Sequence, residues 1–234
     1  MKGIITYITA LLLLVSFGSA QAAKTGEVKE DSIYIDNRLD FSVEFPEGWK
    51  LKRLKDKDDE TNYQRLIATK KNFKVNQTIK RMGGEYTIPT VTIFADSTDL
   101  SIEEYSRWLI DQLYTVTSKS EIVLSTELLS DTDLLDSVMV HANKMDSKRL
   151  QFKHKYKRFL DTSGRDVNWQ RDGGVKLIQD YNIIEVALYK HNDWLIMLYA
   201  VCEREFYQLN KMDFQTVFNS LRFIDETAEA ESRD

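Results

Sequence analysis

Residues 37–51 read NRLDFSVEFPEGWKL, and the fold is decided there. Phe41, Val43 and Phe45 alternate with Ser42 and Glu44, the period of a strand with one buried face. Phe45-Pro46-Glu47-Gly48 follows. Proline presets φ at the second turn position and glycine suits the fourth, so a type I turn is predicted. Trp49 and Leu51 then return to an apolar face. A strand, a corner and a large aromatic plug give the fold its starting edge.

The chain around this corner has 234 residues, 42% of them hydrophobic and 29% charged, with a formal net charge of -5. A domain of that length buries about 70% of its unfolded surface, so its core needs no staple. Two prolines and nine glycines are too few for a linker-rich chain. No repeat is visible, and one domain over 32–224 is expected. Upstream, Lys2 and the apolar run Ile4 to Phe17 lead to Gly18-Ser19-Ala20-Gln21-Ala22, the pattern of a secretory signal peptide over 1–22. The apolar run is shorter than the roughly 20 residues of a spanning helix. The mature chain is expected to start at Ala23, with a flexible segment over 23–31 and an acidic tail over 225–234. Cys202 is the only cysteine, so no intrachain disulfide can form. A periplasmic or secreted bacterial protein fits these features, and no integral membrane segment is expected after cleavage.

Downstream, strands are predicted over Ile33–Asp36, Lys50–Leu54, Tyr63–Thr69 and Ile88–Ala95. A charged loop occupies 56–62, and a turn falls at Gly83-Gly84. Ser101 and Glu104 form a capping box, with Leu100 and Tyr105 as a hydrophobic staple. Ile102, Tyr105, Leu109, Leu113 and Val116 continue that helix on one face. A strand is read at 121–126. Residues 131–144 fit both periods. Leu134, Leu135, Val138, Met139 and Ala142 suit a helix, with Asp131 and Asp133 at its N-terminus; Val138, Val140 and Ala142 suit a strand. The helix is preferred. Arg149–Lys157 alternates clearly. Asn182–Tyr189 and Trp194–Cys202 form a hairpin across His191-Asn192-Asp193, and the apolar second arm is expected at the sheet centre. Phe206, Leu209, Phe214, Val217, Phe218 and Leu221 mark a last helix, with a break expected near Asn210, before a short closing strand at Phe223-Ile224.

The opening DFSVEFPEGWKL and the ending FQTVFNSLRFI resemble the PsbP-like family. The resemblance covers most of 32–224. It implies an α+β fold, an antiparallel β-sheet flanked by helices in an α/β/α sandwich. The family includes the photosystem II extrinsic subunit, a Ran-binding nuclear import protein and many exported bacterial proteins, and it implies binding or assembly rather than catalysis. None of its ligand-binding residues can be carried over to this chain.

No catalytic motif stands out. His141, His154 and His191 lack metal-ligand spacing, and His154 on an apolar face reads as a hydrogen-bonded core histidine. Cys202 lies in the most apolar strand, where a thiol is inert. With 37 acidic residues, chance pairings carry no signal. No cofactor and no nucleic-acid partner are expected. The feature above background is basic: Lys148, Arg149, Lys153, Lys155, Lys157 and Arg158 gather in an acidic chain. Arg149, Lys153, Lys155 and Lys157 alternate with Leu150, Phe152, His154 and Tyr156, so one face collects them. They are candidate docking residues for a protein partner or an anionic envelope surface. The bland alternative is an edge strand whose lysines prevent aggregation. The functional reading is an exported, non-catalytic binding or assembly module; the alternative is a hydrolase with an unmarked acidic site.

Overall fold

The computed structural model describes residues 26–54, 64–74, 87–114, 132–142, 145–161 and 175–224. Strands β1 (Glu27–Lys29), β2 (Ile33–Asp36), β3 (Phe41–Glu44), β4 (Trp49–Arg53), β5 (Gln64–Lys70) and β6 (Thr90–Ser97) precede helix α1 (Ile102–Tyr114). Then come β7 (Thr132–Ala142), β8 (Met145–Asp161), β9 (Val175–His191), β10 (Trp194–Glu203), helix α2 (Arg204–Ser220) and β11 (Arg222–Phe223). The large sheet runs β4-β5-β6-β10-β9-β8-β7, and a small one runs β1-β2-β3-β11. Their pairings are antiparallel. The fold is α+β, as expected. The readings at 1–22, 56–62, Gly83-Gly84, Val116, 121–126 and 225–234 lie outside the described residues.

Strand alternation divides the large sheet into two faces with separate cores. On one face, Trp49, Leu66, Ile93, Ile196 and Leu198 pack with Phe41 and Val43 of the small sheet and with Phe214, Val217 and Phe218 of α2. On the other, Phe94, Leu150, Phe152, Leu188, Leu195 and Met197 pack with Tyr105 and Leu109 of α1. β10 belongs to both cores, so its sequence is apolar at nearly every position.

The strand and the aromatic plug of the opening corner form as read, but the turn centres on Glu47-Gly48, one residue later than read. Phe41, Val43 and Phe45 are buried, and Trp49 is 1% exposed. Gly48 has φ +90°, a conformation glycine adopts without steric cost. The Trp49 indole donates to Asp213 Oδ2 at 3.0 Å, tying β4 to α2. The Lys70 ammonium bonds the same carboxylate and lies 5.2 Å from the indole ring centre. At α1 the capping box closes: Ser101 N–H donates to Glu104 Oε2 at 2.9 Å, and Glu104 N–H to Ser101 Oγ at 3.3 Å. The Ser101 hydroxyl, donating to Glu104 Oε2 at 2.7 Å, and then the Ser101 N–H hold the Glu104 carboxyl below its ordinary pKa. Leu100, read as the outer half of a staple, is exposed.

Five further expectations are corrected. Residues 132–142 form a strand, not a helix, paired with β8 along its length. A bulge between Leu134 and Asp136 shifts the phase, placing Leu134 against the α1-side core and Val138 on the other face. That phase shift mimics helical spacing in the sequence. Within the segment read as flexible, Glu27–Lys29 adds a strand to β2. The β9–β10 hairpin has a two-residue loop, because His191 pairs with Trp194. Helix α2 runs unbroken through Asn210, whose amide donates to Phe206 O at 2.8 Å. It buries Tyr207 and Asn210, leaving Leu209 79% exposed. Finally, β8 lies between β9 and β7 over Met145–His154, so Lys153 does not guard an edge; from Lys155 onward β9 is its one strand partner among the described residues.

Candidate partner-docking site

Helix α2 packs on β3, β9 and β10. Beyond it, on the same face, β8 and β7 floor an open groove of ≈ 300 Å³. Its α2 wall carries Lys211, Gln215, Phe218 and Asn219; its floor carries Asp136, Val138, Val140, Arg149, Gln151 and Glu185. The alternation read in β8 places its residues as expected. Leu150, Phe152 and His154 are buried toward α1, while Arg149 and Gln151 line the groove.

The basic residues are not equivalent. Lys148 reaches the other face and bonds Glu103 of α1 at 3.1 Å. Lys155 pairs with Asp133 of β7 at 2.9 Å and, by hydrogen bond and charge, holds that carboxyl below the usual carboxylate range. The Lys153 ammonium lies 4.3 Å from the Tyr181 ring centre, with the Arg204 guanidinium 5.2 Å from the same ring. Lys157 pairs by backbone with Gln179, and its side chain lies outside the description.

Arg149 is half-buried, with its guanidinium 4.9 Å from the Phe218 ring centre and 5.4 Å from that of Tyr189. Its Nη2 donates to Tyr189 Oη at 2.9 Å and to Asn219 Oδ1 at 3.1 Å. Burial lowers its pKa from the ordinary value, because desolvation disfavours the charged form. Beside it, Gln151 Nε2 donates to Glu185 Oε1 at 3.0 Å and to Tyr207 Oη at 2.6 Å. Tyr207 Oη donates in turn to Glu185 Oε1. Burial first, and then Glu185, pushes the Tyr207 hydroxyl above its ordinary pKa.

These contacts build a fixed polar surface. Cys202 is fully buried, and burial, with Glu185 and Glu203, pushes its thiol up to about 12, so it stays protonated at neutral pH. His154 is buried with Nδ1 3.1 Å from Thr132 Oγ1. Among the described residues, no group of three His, Cys, Asp or Glu side chains could hold a metal ion. Sequence reading missed Glu185, Tyr207, Lys211 and Asn219 as parts of the site. Glu185 had one usable signal: it is the lone charge in the apolar run Ile183–Tyr189.

No family model matches the sequence, and no curated protein matches it. Solved structures do. Cyanobacterial PsbP (CyanoP) from Synechocystis is similar with a TM-score of 0.47 at 12% identity, covering 85% of this chain and 96% of that one. The Saccharomyces cerevisiae Ran-binding protein Mog1p is similar with a TM-score of 0.45 at 8% identity, covering 88% and 98%. LpqN of Mycobacterium tuberculosis, involved in cell envelope biogenesis, is similar with a TM-score of 0.40 at 8% identity, covering 79% and 83%. Each of these likenesses is one of fold, at a TM-score below 0.5.

Proposed function

We propose that this chain is an exported, non-catalytic binding or assembly module that docks an acidic protein segment on the α2-side face of β7 and β8. One observation carries the reading. The sheet extends past α2 and leaves a groove whose polar groups are held by one another while cations gather around it. Arg149 and Lys211 line it, and Lys153 and Lys155 continue along β8, in a chain of net charge -5. An acidic segment complements that patch, and Val138, 45% exposed, offers apolar contact beside it. Glu185 is committed to Gln151 and Tyr207, which favours a fixed surface over proton transfer. Export rests on the signal-peptide pattern over 1–22. Among the described residues, no helix is long and apolar enough to cross a membrane.

The test replaces Lys153, Lys155 and Lys157 together by glutamine and compares capture of protein partners from native envelope extracts at low and high salt. Capture should fall at low salt, and the difference should shrink as salt rises, because exposed charges are screened over about 10 Å at 0.1 M. Equal capture at low salt would remove the docking reading. Recovery of anionic lipid without protein would assign the patch to the envelope surface instead.

A further inference from the structure

The two cations lining the groove differ from the other lysines of the patch. Lys155 has a carboxylate partner and Lys153 an aromatic one. Among the described residues, Arg149 uses only Nη2, and only on neutral oxygens. Among the described residues, its Nε and Nη1 make no hydrogen bond and no carboxylate lies within 4.0 Å of it. Two acids share the groove. Glu185 is tied to Gln151 and Tyr207, and Asp136 accepts from the N–H of Ser137 at 2.8 Å.

Phe218 and Tyr189 fix the plane of the guanidinium, so little rotamer freedom remains to be lost on binding. A planar fork with free N–H groups matches a carboxylate, and such charge-assisted bonds are roughly twice as strong as neutral ones. Lys211 lines the same groove with its ammonium in no ion pair among the described residues, adding to the attraction for negative charge. Val138 and Val140 supply an apolar floor.

Resting on the docking reading, we infer that Arg149 is the anchor of the surface: it takes one side-chain carboxylate of the docked segment, with an aliphatic neighbour of that acid lying on Val138 and Val140. The lysines of β8 steer, and Arg149 selects.

The test titrates the full chain with acetyl-Leu-Glu-Leu-amide and with its glutamine counterpart. It follows the Val138 and Val140 methyl resonances and the Arg149 Nε–H resonance by NMR. The glutamate peptide should bind about tenfold more tightly, the margin a charge-assisted pair supplies. Arg149→Lys, which keeps the charge but loses the fork, should remove most of that preference. Val138→Glu alters an exposed side chain and puts a competing carboxylate in the groove; it should suppress binding while the melting temperature holds. Equal affinity for the two peptides, or unmoved Val138 and Val140 methyls, would overturn the anchor. So would saturable binding of 4-methylvalerate with none of the glutamate peptide, since the groove would then serve a small organic acid. If the lysine variant loses low-salt capture while the peptides bind alike, the anchor fails and the docking reading stands. If the glutamate preference holds while lysine-variant capture is unchanged, Arg149 binds carboxylate but the docking surface is not where it was placed.

Discussion

Arg65 of β5 and Arg149 of β8 belong to one sheet and differ in what surrounds them. Arg65 is buried, and its Nε and Nη2 bond Asp36 at 2.7 and 3.0 Å. Asp36, also buried, accepts further from Tyr34 Oη at 2.8 Å and from the backbone N–H groups of Arg38 and Leu39. That network locks the small sheet onto the large one. Arg149 is half-buried, its donors are partly spent on neutral oxygens, and it lines an open groove. The same residue type holds the fold at one end of the sheet and, at the other, presents a fork only partly used among the described residues. What separates them, among the described residues, is whether a carboxylate completes the pair.

The largest expected effect is at the closed end. Arg65→Leu leaves Asp36 buried without its counter-ion, and removing one partner of such a pair costs about 3–5 kcal/mol. Denaturant unfolding measures it; a loss under about 1 kcal/mol would mean that Asp36 has access to water. Trp49→Ala empties the corner between β4 and α2 and should cost about 3–5 kcal/mol, as large aromatic deletions do. A shift below about 1 kcal/mol would place the ring at the surface.

Alkaline pH compares the two ends next. Burial is the leading cause that raises the hydroxyls of Tyr34 at the Arg65 end and of Tyr189 and Tyr207 around the groove. Tyr199, inside the α1-side core, is raised by burial alone. With folded-state values above the unfolded value of about 10, these groups leave stability independent of their titration below pH 10. Above it the unfolded chain loses protons first, so stability falls as pH rises. Tyr34→Phe should make that fall shallower. A stability flat through pH 11 would show these hydroxyls to be hydrated. The smallest effect belongs to Tyr199→Phe. Among the described residues its hydroxyl is buried without a hydrogen-bond partner, so removing it should be neutral or stabilising by up to about 1 kcal/mol. Destabilisation by more than that would reveal a partner.

How far each end could be read from sequence follows from how local it is. The strand and buried Trp49 at 41–49 and the Ser101–Glu104 box depend on residues within a few positions, and they formed as read, the turn itself falling one residue later. The β7 strand was misread because its bulge breaks the two-residue period, and Leu209 because Tyr207 and Asn210 set the buried phase of α2. The alternation of β8 was legible, so Arg149 and Lys153 were found. The state of Arg149 was not, since its partners Tyr189 and Asn219 lie 40 and 70 residues further along the chain. No local pattern announces that a guanidinium will meet neutral oxygens there. Asp36 and Arg65, 29 residues apart, escaped notice for the same reason.

Arg149→Lys tests the contrast most directly, with unfolding free energy and low-salt capture from native envelope extracts measured on one preparation. If the open end is a working surface, stability should change by about 1 kcal/mol or less, as for a substitution that buries no new unpaired charge. Capture per folded molecule should then fall about tenfold with the loss of the fork. A stability loss above about 3 kcal/mol with capture per folded molecule unchanged would make Arg149 a second Arg65 and contradict the assignment of the groove.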